Sequence, residues 1–248
     1  MGDEGALDRI IRNLDPNTTF AIVYETYSNA WEIPFIAVKE HIEGGNPAVV
    51  CNYAKPVERV LRELELVGFN VRKALEGDSL FIIDIFGSRY NLRVNLPNVF
   101  YIDSVDSETL MPKITLVFQE RILPKVKGKF LLRLLQPLHG LVSLSGEEPV
   151  IKMFSNMITL SSRLRMKSSI MLTLNQDTVS RTFTAWTVEL SDYVLLSKVF
   201  VGKGRIEEHL YFLKAPIMDF KPEEFILTKT GKKGRERFSL RKVRGLSP

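Results

Sequence analysis

The sequence predicts an α/β protein: a mainly parallel, twisted sheet flanked by helices, with antiparallel strands at its C-terminal edge. Three observations predict it. FAIVYE (20–25), AVVCNY (48–53), SLFIIDIF (79–86) and SSIMLTLNQ (168–176) are apolar at successive positions, as strands covered on both faces must be. Segments with helical spacing separate them. Beyond residue 192 the pattern changes to long strand-like runs around Gly202-Lys203-Gly204, which read as a hairpin.

The elements follow in order. ALDRIIRNL is a short amphipathic helix closed by the turn Asp15-Pro16-Asn17. After the first strand, residues 31–43 form a helix that tolerates Pro34 in its first turn, where no amide partner is lost. After the second strand, Val57, Val60, Leu61, Leu64 and Val67 make one helix face, with Glu58, Arg59, Arg62 and Glu63 opposite. Within residues 91–145 the reading is a short strand in VFYIDSV, a helix containing Met111-Pro112, and a core strand over KFLLRLLQPLHGL. GEEPVIKMFSNMITLSSRL is a helix with Glu147 and Glu148 suited to its positive end and Val150, Met153, Phe154, Met157 and Ile158 on one face. VSRTFTAWTVELSDY is the last helix, and EFILTKTG the last strand.

Hydrophobic residues make up 45% and charged residues 25% of the 248, an ordinary balance for a globular chain. No run of about 20 apolar residues occurs, so no membrane span is expected. The acidic start MGDEGALDRI lacks the apolar core of a leader, and the reading is cytoplasmic. A single cysteine, Cys51, within an apolar strand reads as a core thiol. His41, His139 and His209 are far apart, so no metal site and no cofactor are assigned. Glutamine is scarce while Glu, Lys and Arg are plentiful, a composition that leans towards a thermophile.

The net charge of +5 is unevenly placed. Residues 229–248 hold eight Lys or Arg and one Glu, leaving the remainder at −2. The division is a single α/β domain over 1–228 and a basic tail over 229–248. Lys232, Lys233, Arg235, Arg237, Arg241, Lys242 and Arg244 are the candidate partner or nucleic-acid contacts, and a solvated terminus that contacts nothing is the plain alternative.

The stretch GGNPAVVCNYAKPVERVLRELELVGFNVRKALEGDSLFIIDIFGS resembles the second strand, following helix and third strand of the RecA superfamily, specifically its KaiC- and RadA-like archaeal ATPases. EEHLYFLKAPIMDFKPEEFILTKTG is similar to that family's terminal hairpin. The resemblance covers about residues 18–90 and 145–231, and within the superfamily it points to an uncharacterised archaeal branch without the ATPase motifs. It implies a RecA-like fold with a nucleotide site at the turn after the first strand.

That turn, YETYSNAW, lacks what a phosphate loop needs. Counted back from Gly45 without gaps, the two glycine positions become Tyr24 and Asn29, the lysine becomes Ala30, and the magnesium-binding hydroxyl becomes Trp31. Tyr27 and Trp31 either plug the former phosphate site or pack beneath a neighbouring loop. The acidic pair that the resemblance places after the second strand falls on Ala54 and Lys55. Of the lysine-x-arginine near the terminal hairpin, Lys214 survives and the arginine position holds Pro216. No carboxylate occurs in LLRLLQPLHGL, where the resemblance places the magnesium-binding aspartate. Asp84 and Asp103, near strand ends, serve a metal or acid–base chemistry in one reading and cap turns and helices in the other. The expectation is a non-catalytic, pseudo-ATPase protein acting through protein or peptide binding or homo-oligomeric self-assembly. RTFTAWTVEL and an edge strand near 193–201 are the candidate contact surfaces. A nucleotide-binding regulator with an altered pocket, or a nucleic-acid-binding protein using the tail, are the alternatives.

Overall fold

Ten strands form one sheet in a computed structural model of the chain, which describes residues 14–126, 128–163, 167–202, 205–230 and 237–243. They are β1 (Thr19–Tyr24), β2 (Ala48–Asn52), β3 (Leu80–Asp84), β4 (Val99–Phe100), β5 (Leu131–Gln136), β6 (Ser168–Asn175), β7 (Tyr193–Gly202), β8 (Arg205–Lys214), β9 (Glu223–Thr230) and β10 (Arg237–Lys242). Their order is β10-β9-β8-β7-β1-β6-β5-β2-β3-β4. Pairing is parallel from β4 across to β7 and antiparallel from β7 to β10. β1 to β3, β5 and β6 are buried along their whole length, which is why they read as unbroken apolar runs.

Helices cover the parallel part on both sides. On one face lie α1 (Ile33–Glu43), α2 (Val57–Leu66) and α3 (Val71–Glu76), whose Phe35, Val38, Val60, Leu64 and Leu75 pack with Ile22, Val50 and Ile82 of the sheet. Each such side chain, fully buried, contributes about 1.5–3 kcal/mol. The short α4 (Ile85–Tyr90) follows β3 directly. On the opposite face lie α5 (Leu110–Val117), continued by a wide turn over Phe118–Ile122, α6 (Leu138–Ser145), α7 (Glu147–Arg163) and α8 (Arg181–Glu189). Glu147 at the start of α7 accepts from the Ser180 amide and hydroxyl, both at 2.7 Å, and so ties that end to the cap of α8.

Four readings change. KFLLRLLQPLHGL is not one strand: β5 ends at Gln136, and after Pro137 the chain becomes α6, a helix that needs the close approach of Gly140 to Tyr53 and Ala54. SLFIIDIF is likewise divided, because the Asp84 carboxylate accepts from the Gly87 amide at 3.0 Å and starts α4. β7 is not an edge strand, since β1 and β8 flank it. The tail holds a strand: β10 pairs antiparallel with β9 because Leu240, 4% exposed, joins the core opposite Leu227. The N-terminal helix and the hairpin turn at Lys203-Gly204 lie outside the described residues. No helix of the described residues is long and apolar enough to cross a membrane.

Candidate functional site

In a doubly wound sheet, ligands bind beyond the carboxyl ends of the strands where strand order reverses. Here that point is the end of β1, between β6 and β7. Tyr24 ends the strand, and the chain turns over Glu25–Asn29 into a single helical turn, Ala30–Glu32, that runs on into α1. The turn is anchored on both sides. Asp177, just past β6, accepts from the Thr26 amide at 2.8 Å and its hydroxyl at 2.9 Å. Glu25 accepts from the Val199 amide of β7 at 2.8 Å.

The helix start aims its free amides inward, which is an anion-binding arrangement. The anion they meet is the protein's own. Glu208, 4% exposed, reaches over from β8. Its carboxylate accepts from the Asn29 amide (2.9 and 3.0 Å), the Ala30 amide (3.1 Å) and Asn29 Nδ2 (3.0 Å). The hydroxyls of Ser28 (2.5 Å) and Ser197 (2.8 Å) complete the set. Backbone amides that would face a bound phosphate thus face a fixed, buried carboxylate.

The aromatic residues divide. Tyr27 is 80% exposed and plugs nothing. Trp31 packs edge-on against Phe35 at 6.2 Å, with the Lys55 ammonium 5.4 Å from its ring. Lys55 also meets Glu63 at 2.5 Å, and Arg59 lies 3.5 Å from the same carboxylate. Burial pushes the Lys55 ammonium down, opposed by Glu63. Burial, with Lys55 nearby, holds His139 at about 4, and its neutral Nδ1 accepts from the Asn175 amide at 3.2 Å.

A polar row crosses the neighbouring strand ends on the α1/α2 face. Asp84, Asn52 and Gln136 are in register on β3, β2 and β5, with Thr173 on β6 next in line. Asn52 Nδ2 donates to Asp84 Oδ1 at 2.7 Å and to the Lys55 carbonyl at 2.6 Å. Asp84 Oδ2, Asn52 Oδ1, Gln136 Oε1 and Thr173 Oγ1 have no hydrogen-bond partner among the described residues. Burial raises the Asp84 carboxyl. Asp84 is a helix cap, as one of its two readings had it; Asp103 lies on an exposed bend. Among the described residues no three His, Cys, Asp or Glu form a metal-binding group. Cys51 is a buried thiol, pushed up to about 11 by burial.

Of the seven tail cations, Arg237, Arg241 and Lys242 lie on β10, where Lys242 pairs with Glu223. Lys232, Lys233, Arg235 and Arg244 lie outside the described residues. Lys214 donates to the Glu189 carbonyl at 2.9 Å. Sequence reading missed Glu208. Its signal was present: Glu208, Leu210 and Phe212 alternate on β8, so Glu208 shares the inward face of that strand.

The chain matches no family model and no curated protein. Solved structures do match. An uncharacterised protein of Pyrococcus horikoshii, crystallised in complex with an unknown peptide, superposes with a TM-score of 0.74 at 21% identity over 96% of each chain. A KaiC-like protein of Pyrococcus horikoshii OT3 gives 0.64 at 11% identity over 86% of each. The flagellar accessory protein FlaH of Methanocaldococcus jannaschii gives 0.65 at 11% identity, over 98% of this chain and 97% of its own. The fold is RecA-like. At these identities the likeness concerns fold alone; the family's chemistry depends on the residues at the site.

Proposed function

We propose that this protein is a RecA-like, KaiC-like pseudo-ATPase that has exchanged nucleotide chemistry for binding a peptide or protein segment. The observation that carries the reading is Glu208: the amides of Asn29 and Ala30 already hold a buried carboxylate. An incoming triphosphate would meet that negative charge and would have to displace five hydrogen-bond donors from it. Tyr24, Asn29, Ala30 and Trp31 stand where the phosphate loop needs two glycines, a lysine and a hydroxyl. Ala54 and Lys55 stand where an acidic pair would activate water. Support for peptide binding comes from the structural neighbour crystallised with an unknown peptide, whose likeness spans nearly the whole chain.

Selection of a displayed random-peptide library against the immobilised full chain tests the reading. Enrichment of a consensus peptide, whose synthetic form binds equally well with and without magnesium-ATP, is the expected result. No enrichment, or competition between peptide and ATP, overturns it.

A further inference from the structure

The antiparallel extension β7–β10 has two unlike faces. On one, Leu195, Leu210, Phe212, Phe225 and Leu227 continue the core. On the other, register sets Lys198 opposite His209, His209 opposite Ile226, and Ile226 opposite Arg241. Phe200 and Tyr211 belong to this second face. Phe200 is 51% exposed. Three rings follow one another there. His209 meets Phe200 edge-on at 5.0 Å and lies nearly parallel to Tyr211 at 6.3 Å and 20°. Glu224 fixes the imidazole through Nδ1 at 2.7 Å, so the rings are pre-set rather than free to rotate. Lys198 and Arg241, both exposed, stand on either side of them.

We propose that this face binds single-stranded nucleic acid, with bases stacking on Phe200 and Tyr211 and phosphates meeting Lys198 and Arg241. Every base has a flat face, so aromatic rings on an open sheet receive unpaired bases whatever their sequence. Backbone phosphates need cations beside those rings, and two stand there. The charge of the chain points the same way: residues 229–248 carry +7 against −2 for the remainder, and this segment supplies β10 and the end of β9. A duplex fits poorly, because its bases are already stacked and the face offers no helix for a groove. An apolar protein partner fits poorly as well, because Lys198, Glu207, Glu224 and Arg241 interrupt the rings.

Fluorescence anisotropy of the full chain with labelled oligouridylate and oligothymidylate decides the matter. Wild type binds both in low salt, and log affinity falls linearly with log salt concentration. F200A/Y211A weakens binding about tenfold or more with the unfolding midpoint unchanged. K198E/R241E, a surface change, weakens it too and lowers the salt slope by about one for each phosphate no longer neutralised. The proposal falls if wild type does not bind in low salt, if F200A/Y211A binds like wild type, or if a duplex of equal length competes equally.

Discussion

Replacing Glu208 by alanine removes the acceptor that serves the amides of Asn29 and Ala30, the Asn29 side chain and two serine hydroxyls. The Ala30 amide keeps a second partner, Ser28 Oγ at 2.9 Å. The Asn29 amide has only the Glu208 carboxylate, and leaving one buried donor unpaired costs about 1–3 kcal/mol. Ser28 and Ser197 are buried but still pair with each other at 2.9 Å, which limits their share. The helix start also loses its compensating negative charge, which costs up to about 2 kcal/mol in a buried setting. Together E208A lowers unfolding free energy by roughly 2–5 kcal/mol. Urea denaturation measures this, with the slope unchanged because the surface exposed on unfolding is the same. A second readout separates this cause from a simple cavity. Inorganic phosphate or sulfate restores stability to E208A more than it stabilises wild type, because the vacated amides accept the added anion. A destabilisation below about 0.5 kcal/mol, or no difference between variant and wild type in the anion series, refutes the reasoning.

Other expectations follow from the same geometry. Unfolded, His139 titrates near 6.5; folded, it is held at about 4. Between those values the unfolded chain binds the extra proton, so stability is full above pH 6.5 and falls as pH drops towards 4, by at most about 3 kcal/mol. H139Q flattens that limb in pH-dependent thermal unfolding. Lys55→Ala leaves the buried Glu63 carboxylate with only the more distant Arg59, for a loss of about 2–4 kcal/mol, whereas K55M/E63L lies closer to wild type than either single change in a double-mutant cycle. Gly140→Ala sets a methyl group 2.7 Å from the Ala54 Cβ and 3.2 Å from Tyr53, so α6 must shift from β2, at about 1–3 kcal/mol, read by chemical denaturation.

What could be read from the residues followed from burial. β1, β2, β3 and β6 lie between two helical layers, so their apolar runs announced them, and α2 announced itself through Val57, Val60 and Leu64. Boundaries that depend on a single polar or cyclic residue were hidden. Asp84 stops β3 by capping α4, and Pro137 separates β5 from α6, yet both sit inside unbroken apolar sequence. β10 was hidden for the opposite reason: in RFSLRK the charges mask the one position, Leu240, that joins the core. The altered turn after β1 was legible residue by residue from Tyr24 to Trp31. Its occupant was not, because Glu208 lies about 180 residues downstream and arrives only when β8 pairs beside β7. The polar row of Asp84, Asn52, Gln136 and Thr173 had the same obstacle: it exists only through parallel register.

Calorimetric titration of ATP and ADP, each with magnesium, into the full wild-type chain tests the central claim most directly, namely that the helix start after β1 is filled by the protein's own Glu208. The account predicts no binding heat and no rise in unfolding temperature with either nucleotide. Micromolar binding, worth about 8 kcal/mol, would contradict it, because no nucleotide could gain that much without displacing the carboxylate from Asn29 and Ala30.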